Sequence, residues 1–157
     1  MDRLIIFMAS AGYAGFFPRA PGTVGTGVGV LAFLLFSPFP PHLYLLTLAA
    51  LVTLSAWVSG RAEVLLGRKD SPIIAIDEAT GYLITMALLP CTAAAIVFGF
   101  LFFRVFDIMK PPPADWINSR MKGGWAVVLD DAVAGGYANM VLRLAAFFYP
   151  DFFFLLG

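Results

Sequence analysis

The chain has 157 residues, of which 61% are hydrophobic and only 13% are charged. A soluble domain of this size cannot hide that much apolar surface, because small domains bury a smaller share of their surface on folding. Ten basic and ten acidic residues give a formal net charge of zero, so the basic footprint of a nucleic-acid-binding protein is absent. A single cysteine excludes a disulfide scaffold. The composition predicts one membrane-embedded domain over residues 1–157.

Residues 3–17 combine a short apolar run with small residues, as a signal peptide does. The run from Leu4 to Met8 is shorter than the core of a signal peptide, which usually has about 7–15 residues. We therefore expect a retained segment that lies in the membrane interface or re-enters the membrane.

Five apolar runs follow and predict an all-α fold, a polytopic bundle of about five membrane helices. They cover residues 24–37, 43–60, 72–89, 93–106 and 125–149. The prolines at 38, 40 and 41 break the chain after the first run, because repeated prolines cannot continue a helix. The phenylalanines at 147, 148 and 152–154 are expected to face lipid.

The basic residues predict the orientation of this bundle. When the loops are assigned to alternate sides of the membrane, nine of the ten Lys and Arg residues fall on one side and Arg143 falls on the other. The others share the opposite side: Arg3, Arg19, Arg61, Arg68, Lys69, Arg104, Lys110, Arg120 and Lys122. Because loops rich in Lys and Arg stay in the cytoplasm, this side is predicted to be cytoplasmic. His42 and Cys91 fall on the outward turns, where we expect no functional role for either.

Five carboxylates fall at the cytoplasmic ends of three predicted helices, far apart in sequence. They are Asp77, Glu78, Asp107, Asp130 and Asp131. Carboxylates at membrane depth are costly and usually face a cavity with a function. Helical phase places Glu78, Asp107 and Asp131 in the inner shell of a site. Asp77 and Asp130 are then outer ligands, bases or supporting partners.

This acidic group indicates a bound cation, because five carboxylates cannot all stay ionised in a confined site without one. Oxygen ligands suit Mg²⁺, whereas zinc is disfavoured because the one histidine, His42, lies on the opposite side. Basic groups on the same side suit phosphate oxygens; they are Arg19, Arg104, Lys110, Arg120 and Lys122. The Gly- and Thr-rich stretch 18–26 leads into a helix whose first N–H groups suit an anion. Together these features indicate phosphoryl chemistry on a lipid.

Two other classes stay open on the residues alone: a carrier or ion-conducting protein, and a non-catalytic protein that packs its helices on a partner. Among phosphatases, a cysteine-based site needs an arginine six residues after the nucleophile, and Val97 stands there after Cys91. An Asp-x-Asp nucleophile is absent from the sequence. Direct attack by water is favoured, and a carboxylate nucleophile stays open.

Four blocks in a fixed order, spanning residues 18–138, resemble the phosphatidylglycerophosphatase A family. The blocks are Pro18-x-Ala20-Pro21-Gly22-Thr23-x-Gly25-Thr26, Asp77-Glu78-x-x-Gly81, Arg104-x-Phe106-Asp107-x-x-Lys110-Pro111-x-Pro113, and Gly123-Gly124 followed by Asp130-Asp131-x-x-Ala134-Gly135. The sequence departs from the family at Arg19, where many members have lysine, and at Asp70-Ser71-Pro72, where the family has Asp-Pro.

The resemblance implies a Mg²⁺-dependent phosphoric monoester hydrolase of the bacterial inner membrane, multi-pass, with its active site facing the cytoplasm. Such an enzyme converts phosphatidylglycerophosphate to phosphatidylglycerol and phosphate in phospholipid biosynthesis. Its partners are the phospholipid substrate and the bilayer, and the oligomeric state and number of metal ions stay open. The expected metal ligands are Glu78, Asp107 and Asp131. The expected catalytic groups are Asp77, Asp130 and Lys110, with Asp77 or Asp130 orienting or deprotonating the attacking water. The expected phosphate-binding residues are Arg19, Thr23, Arg104 and Lys110.

Overall fold

The computed structural model describes residues 1–151, apart from the side chain of Asn118. The described residues form seven α-helices and no strand, which confirms the all-α class. The helices are α1 (Asp2–Ala9), α2 (Pro21–Phe36), α3 (Pro41–Leu66), α4 (Ile76–Thr85), α5 (Ala93–Met109), α6 (Ala114–Arg120) and α7 (Gly124–Phe148). The phenylalanines at 152–154 lie outside the described residues.

Local sequence explains where several helices begin and end. Pro21 and Pro41 occupy first-turn positions of α2 and α3, where the missing N–H has no intrahelical partner to lose. The hydroxyl oxygen of Thr92 accepts a hydrogen bond from the Ala95 N–H at 3.2 Å and so caps α5. Gly67 ends α3 with a φ of 63°, a left-handed conformation that glycine adopts without steric cost.

The helix count differs from the prediction of about five. Residues 3–17, expected to be an interfacial or re-entrant segment, contain α1 and a short 3₁₀ helix (Ala14–Phe16), and the polar loop after α5 contains α6. Of the described helices, α3 is the one long and apolar enough to cross a membrane, and α2 is a shorter apolar helix. The predicted third run over residues 72–89 is helical only in α4, whose ten residues extend about 15 Å.

The early end of α4 has a physical cause that composition does not reveal. Leu88 adopts a φ of 58°, which a helix cannot accommodate. The Asn139 side-chain amide donates to the backbone oxygens of Thr85 and Ala87 at 2.7 and 3.0 Å, and the Arg143 guanidinium donates to Ala87 at 3.0 Å. Side chains of α7 therefore satisfy carbonyls that a longer helix would have paired internally.

Small residues bring α4 close to α2 and α7. A Cβ added at Gly29 would lie 2.8 Å from the backbone oxygen of Ala79, and one added at Gly135 would overlap the backbone oxygen of Gly81. Such backbone approaches need residues without large side chains. Helix α4 therefore sits among α2, α3, α5 and α7.

Two apolar clusters pack along these helices, and charged residues lie between them. The first contains Phe33, Tyr44, Tyr82, Leu83, Met86, Ala95, Phe103, Ala134, Ala138 and Leu142. The second contains Ile5, Ala9, Val58, Ala62, Ile74 and Val127. Along the chain, Asp77 and Glu78 fall between the two clusters on α4, and Asp130 and Asp131 fall between them on α7. We call these four residues the polar layer.

Candidate active site

Three carboxylates of the polar layer form a compact group, the acidic trio of Asp77, Glu78 and Asp131. One oxygen from each lies within 4.8 Å of the other two. Asp77 and Glu78 come from the first turn of α4, and Asp131 comes from the third turn of α7. Asp77 and Asp131 are only 5% and 4% exposed. Close approach of the two helices therefore concentrates negative charge in a buried space.

Each member of the acidic trio has a buried oxygen without a hydrogen-bond partner. These atoms are Asp77 Oδ1, Glu78 Oε2 and Asp131 Oδ2. Buried polar atoms normally have partners, and buried like charges disfavour one another's ionised form. A divalent cation would supply what the protein lacks here, because it neutralises charge and is ligated by oxygen. The donor set and the unpartnered atoms both fit Mg²⁺.

Two ion pairs flank the acidic trio. Arg104 Nη1 lies 2.5 Å from Asp107 Oδ2, one turn apart near the end of α5. Lys110 Nζ lies 2.5 Å from Asp130 Oδ2. Lys110 follows α5 with a φ of 44°, an uncommon conformation for a side-chain-bearing residue.

The charge of Lys110 is maintained by its surroundings. Partial burial acts to lower the pKa of Lys110, but its hydrogen bond to Asp130 and the nearby charges of Asp130, Asp70 and Asp131 outweigh burial, so the pKa is raised above the usual 10.5. Lys110 therefore stays protonated at neutral pH and presents a fixed positive charge beside the polar layer.

The first turn of α2 lies directly against Glu78 of the acidic trio. A Cβ added at Gly22 would lie 2.5 Å from Glu78 Oε1 and 3.0 Å from Arg104 Nη1. No side chain caps this helix start. The N–H groups of Gly22 and Thr23 belong to the first turn, whose amides have no partner within the helix. Helix N-terminus and guanidinium thus meet beside the carboxylates, an arrangement that suits an anion.

The carboxylates that lie together in the structure are not the same three that the sequence predicts for the inner shell. Glu78 and Asp131 lie together as expected, but Asp77, predicted as an outer group, completes the trio. Asp107, predicted as the third inner ligand, pairs with Arg104 instead. Asp130 has both oxygens engaged, Oδ2 by Lys110 and Oδ1 by the Asp131 N–H at 3.1 Å. The metal-binding and catalytic roles of these residues stay predictions.

The predicted phosphate-binding residues fall into two groups. Arg104 and Lys110 lie beside the carboxylates, as described above. Thr23 is exposed in the first turn of α2, and Arg19 is exposed in the stretch that leads to it. Their phosphate contacts stay predictions.

Sequence reasoning did not select two residues that the structure places at this site. Gly22 was visible only as part of a Gly- and Thr-rich stretch, and its contact with Glu78 depends on how α2 packs. Asp70 stands in the segment that departs from the family pattern, yet its charge acts on Lys110. Its N–H donates to Glu63 Oε1 at 2.7 Å, and its φ is 46°. The one feature of the sequence that could have pointed to Asp70 is that this acidic residue lies only seven residues before Asp77.

His42 and Cys91 are exposed and lie away from the carboxylates. His42 is in the first turn of α3, and Cys91 lies between α4 and α5. The start of α3, where His42 lies, and the end of α4, which precedes Cys91, are both on the side of the first apolar cluster. They are joined there by a hydrogen bond that the Tyr44 hydroxyl donates to the Leu83 backbone oxygen.

Comparison with known proteins identifies the family. The family model described as phosphatidylglycerophosphatase A matches residues 7–146. Proteins named phosphatidylglycerophosphatase A from Escherichia coli and Haemophilus influenzae are 28% and 29% identical to this chain, each over 87% of it and over 80% and 86% of their own lengths. A protein from Bacteroides thetaiotaomicron named putative phosphatidylinositol-3-phosphatase is 31% identical over 84% of this chain and 87% of its own length. No solved structure matches the chain.

These matches confirm the resemblance and favour an enzyme over the carrier and helix-packing alternatives. The matched region includes α2, α4, α5 and the polar layer, so it covers the whole candidate site. The chain belongs to the phosphatidylglycerophosphatase A family and is a phosphatase that hydrolyses a phosphate monoester.

Proposed function

We propose that this protein is a Mg²⁺-dependent phosphatase that converts phosphatidylglycerophosphate to phosphatidylglycerol and phosphate in phospholipid biosynthesis. The observation that carries the proposal is the acidic trio, with three unpartnered buried oxygens beside Arg104 and the start of α2. A cation site and an anion site in contact are what metal-assisted phosphate hydrolysis requires.

Asp77, Glu78 and Asp131 would hold the cation. When bound, Mg²⁺ would supply Lewis-acid activation of water and neutralise charge on the phosphate. Asp107 lies at the edge of this group, where its charge acts on Glu78 and Asp131. We assign it the task of holding the Arg104 guanidinium in place, since the two form an ion pair.

The phosphate would bind between Arg104 and the first turn of α2. Arg104 offers several N–H donors in a planar fork that suits two phosphate oxygens, and the Gly22 and Thr23 N–H groups offer two more. The absence of a side chain at Gly22 lets the Glu78 carboxylate and the Arg104 guanidinium come close to the start of α2. Arg19 and Thr23 would contact the substrate from the exposed side.

The proton of the attacking water would pass to Asp77 rather than Asp130. Both oxygens of Asp130 already accept hydrogen bonds, whereas the two carboxylate oxygens of Asp77 would divide the tasks: one would ligate the cation and the other would accept the proton. The water oxygen bonds to phosphorus, the bond from phosphorus to the glycerol oxygen breaks, and that oxygen takes a proton from solvent. Lys110 would stabilise the developing charge rather than donate a proton, because its raised pKa makes it a weak acid.

We further propose a multi-pass protein of the bacterial inner membrane with its active site on the cytoplasmic side. Large apolar side chains are exposed along α2, α3 and α7, including Leu35, Leu46 and Phe147. Exposed apolar surface of this extent suits lipid contact. The side predicted to carry nine of the ten Lys and Arg residues is also the side predicted to carry the site carboxylates, which supports a cytoplasmic active site.

The test is release of phosphate by the purified full-length chain in detergent micelles. Phosphatidylglycerophosphate, phosphatidylinositol 3-phosphate and glycerol 3-phosphate are compared, with Mg²⁺ and with a chelator. The second lipid is included because one relative is named for that activity. We expect Mg²⁺-dependent release, fastest from phosphatidylglycerophosphate. Faster release from phosphatidylinositol 3-phosphate would overturn the substrate, and undiminished release in chelator would overturn the cation.

A further inference from the structure

Two buried serines of α3 stand apart from the other buried hydroxyls in the helices. Ser55 and Ser59 have no exposed surface, and neither hydroxyl has a hydrogen-bond partner. By contrast, the buried hydroxyls of Thr26, Thr80 and Thr85 each donate to the backbone oxygen four residues earlier. Ser55 and Ser59 lie one helical turn apart, so their side chains share one face of α3.

The order of residues in the two apolar clusters places this face beside the polar layer. On α3, Leu51 packs on the first cluster and Val58 belongs to the second. On α7 the order is reversed: Val127 belongs to the second cluster and Ala134 to the first. The two helices are therefore antiparallel, and the stretch of α3 between Leu51 and Val58, which contains Ser55, crosses the same layer as the stretch of α7 that contains Asp130 and Asp131.

Direct contact between α3 and α7 supports this placement. A Cβ added at Gly124 would overlap the backbone oxygen of Ala56 and lie 2.5 Å from the nitrogen of Gly60. The backbones thus touch where α7 begins, and Asp131 lies two turns further along α7. Because the helices are antiparallel, Ser59 lies beside this contact and Ser55 lies one turn nearer to the level of Asp131.

All five unpartnered buried side-chain atoms in the described residues belong to this region. They are the hydroxyls of Ser55 and Ser59 and one oxygen each from Asp77, Glu78 and Asp131. A single missing group would explain all five: a hydrated cation, because Mg²⁺ usually keeps several of its waters when bound to carboxylates. Those waters donate to carboxylates and exchange hydrogen bonds with hydroxyls.

We propose that Ser55 and Ser59 form the α3 wall of the cation site, and that their hydroxyls hydrogen bond to the hydration water of the divalent cation. This inference rests on the proposed function, which places that cation at the acidic trio. The serines are positioning residues: they touch neither the phosphate nor the trio, and they raise cation affinity by ordering its water. Partners of this kind change metal affinity by about 10–100-fold.

The test measures cation binding directly, with Mn²⁺ as the probe, because Mn²⁺ accepts the same oxygen ligands and its free form is quantified by electron paramagnetic resonance. The full-length parent, Ser55→Ala and Ser59→Ala are titrated in detergent micelles. Thr85→Val is the matched control, because it also removes a buried helical hydroxyl, but one that already has a partner. We expect each serine variant to bind Mn²⁺ about tenfold more weakly and the control to match the parent.

Thermal unfolding with and without Mn²⁺ gives a second readout that a purely structural role would not produce. In chelator, each serine variant should unfold at a higher temperature than the parent, because alanine removes an unpartnered buried hydroxyl and favours a helix. With Mn²⁺ present, this advantage should disappear or reverse. An equal shift in both conditions would mean that the hydroxyls serve only packing.

The outcomes separate the two proposals. If the parent binds Mn²⁺ and both serine variants bind it equally well, the role of the serines is wrong and the acidic trio stands. If the parent does not bind Mn²⁺ at all, the cation at the acidic trio is wrong, and the inference about the serines is overturned with it.

Discussion

At the scale of single residues, the acidic trio sets three carboxylates against one another in a buried space. Ionised groups in such a space raise one another's energy, and the two ion pairs beside the trio join Arg104 to Asp107 and Lys110 to Asp130 rather than to the trio itself. The arrangement costs folding free energy, which a cation bound at the trio would offset. Function and stability are therefore opposed at these three residues.

Glu78→Gln should accordingly stabilise the protein when no cation is bound. The change removes one buried negative charge and keeps the side-chain size. In chelator we expect a higher unfolding temperature, by about 2–4 °C for each kcal/mol gained in a chain of this length. Added Mg²⁺ should raise the unfolding temperature of the parent but not of the variant. Asp115→Asn, at an exposed acid on α6, is the control and should follow the parent. A lower unfolding temperature for Glu78→Gln in chelator would contradict this account.

Lys110 has a different role, because it balances a buried charge. Its partner Asp130 is 4% exposed, so Lys110→Met leaves a buried carboxylate unpaired at a cost of about 1–3 kcal/mol. The folded-state pKa of Lys110 lies above 10.5, so its stabilisation is fully present below that pH and is lost as the pH rises through the folded pKa. Urea unfolding should therefore show the same loss from pH 7 to pH 9.

The controls for this prediction are internal to the chain. Lys122→Met, at an exposed lysine, should change stability by less than about 0.5 kcal/mol. Adding Asp130→Asn to Lys110→Met should restore much of the lost stability, since no unpaired charge remains. If Lys110→Met and Lys122→Met destabilise equally, the ion pair is not what stabilises this end of α5.

Residue type and helix position predicted which carboxylates gather at one end of the fold, but not which of them meet. Asp77 and Glu78 are adjacent, so the sequence alone assigns one to the inside and one to the outside. In the structure, α4 is only ten residues long and lies among α2, α3, α5 and α7, so both of its first-turn acids face protein. Asp107 pairs with Arg104, and this pairing depends on side-chain conformations that helical phase does not fix. The role of Asp107 as a metal ligand stays a prediction.

At the scale of helices, the glycines of α2 separate packing from function. At Gly22 an added Cβ would meet the ends of two side chains, the Glu78 carboxylate and the Arg104 guanidinium. At Gly25 it would lie 2.9 Å from the backbone oxygen of Ala75, and at Gly27 it would meet nothing within 4 Å. The same substitution at three positions of one helix therefore has three different predicted results.

Gly22→Ala should lower phosphate release by at least about tenfold, because the added methyl group displaces the Glu78 carboxylate and the Arg104 guanidinium from the positions in which they act. It should cost little stability, because the ends of these side chains can move away from the methyl group. Gly25→Ala should lower stability by about 1–3 kcal/mol, because a backbone must shift. Gly27→Ala should keep activity and gain up to about 1 kcal/mol from helix propensity. Phosphate release and thermal unfolding of all three variants check this order. Equal activity in Gly22→Ala and Gly27→Ala would remove α2 from the site.

The sequence predicted helices better than it predicted their ends. The runs at 24–37 and 125–149 correspond closely to α2 and α7, because apolar composition and flanking prolines or glycines are local signals. The run at 72–89 does not, because Asn139 and Arg143 reach from α7 to the carbonyls where α4 ends. An end that depends on a distant helix leaves no local signal.

At the scale of the whole molecule, the single cysteine provides a test of the proposed orientation. Cys91 is exposed and lies at the end of the bundle opposite the acidic trio. A membrane-impermeant maleimide added to intact spheroplasts should therefore label Cys91. In the Cys91→Ser background, Lys122→Cys should be labelled only after the membrane is permeabilised. Labelling with the reverse pattern would place the active site on the outer side.

The central claim is that the acidic trio holds the divalent cation required for phosphate hydrolysis. Its most direct test is phosphate release from phosphatidylglycerophosphate across a Mg²⁺ titration, for the parent, Asp131→Asn and the control Asp115→Asn. We predict no release by the parent in chelator and a rise with Mg²⁺, which the control shares. Asp131→Asn should fall at least about hundredfold below the parent at every Mg²⁺ concentration, with its fold retained. Near-parental release by Asp131→Asn across the titration would contradict the account.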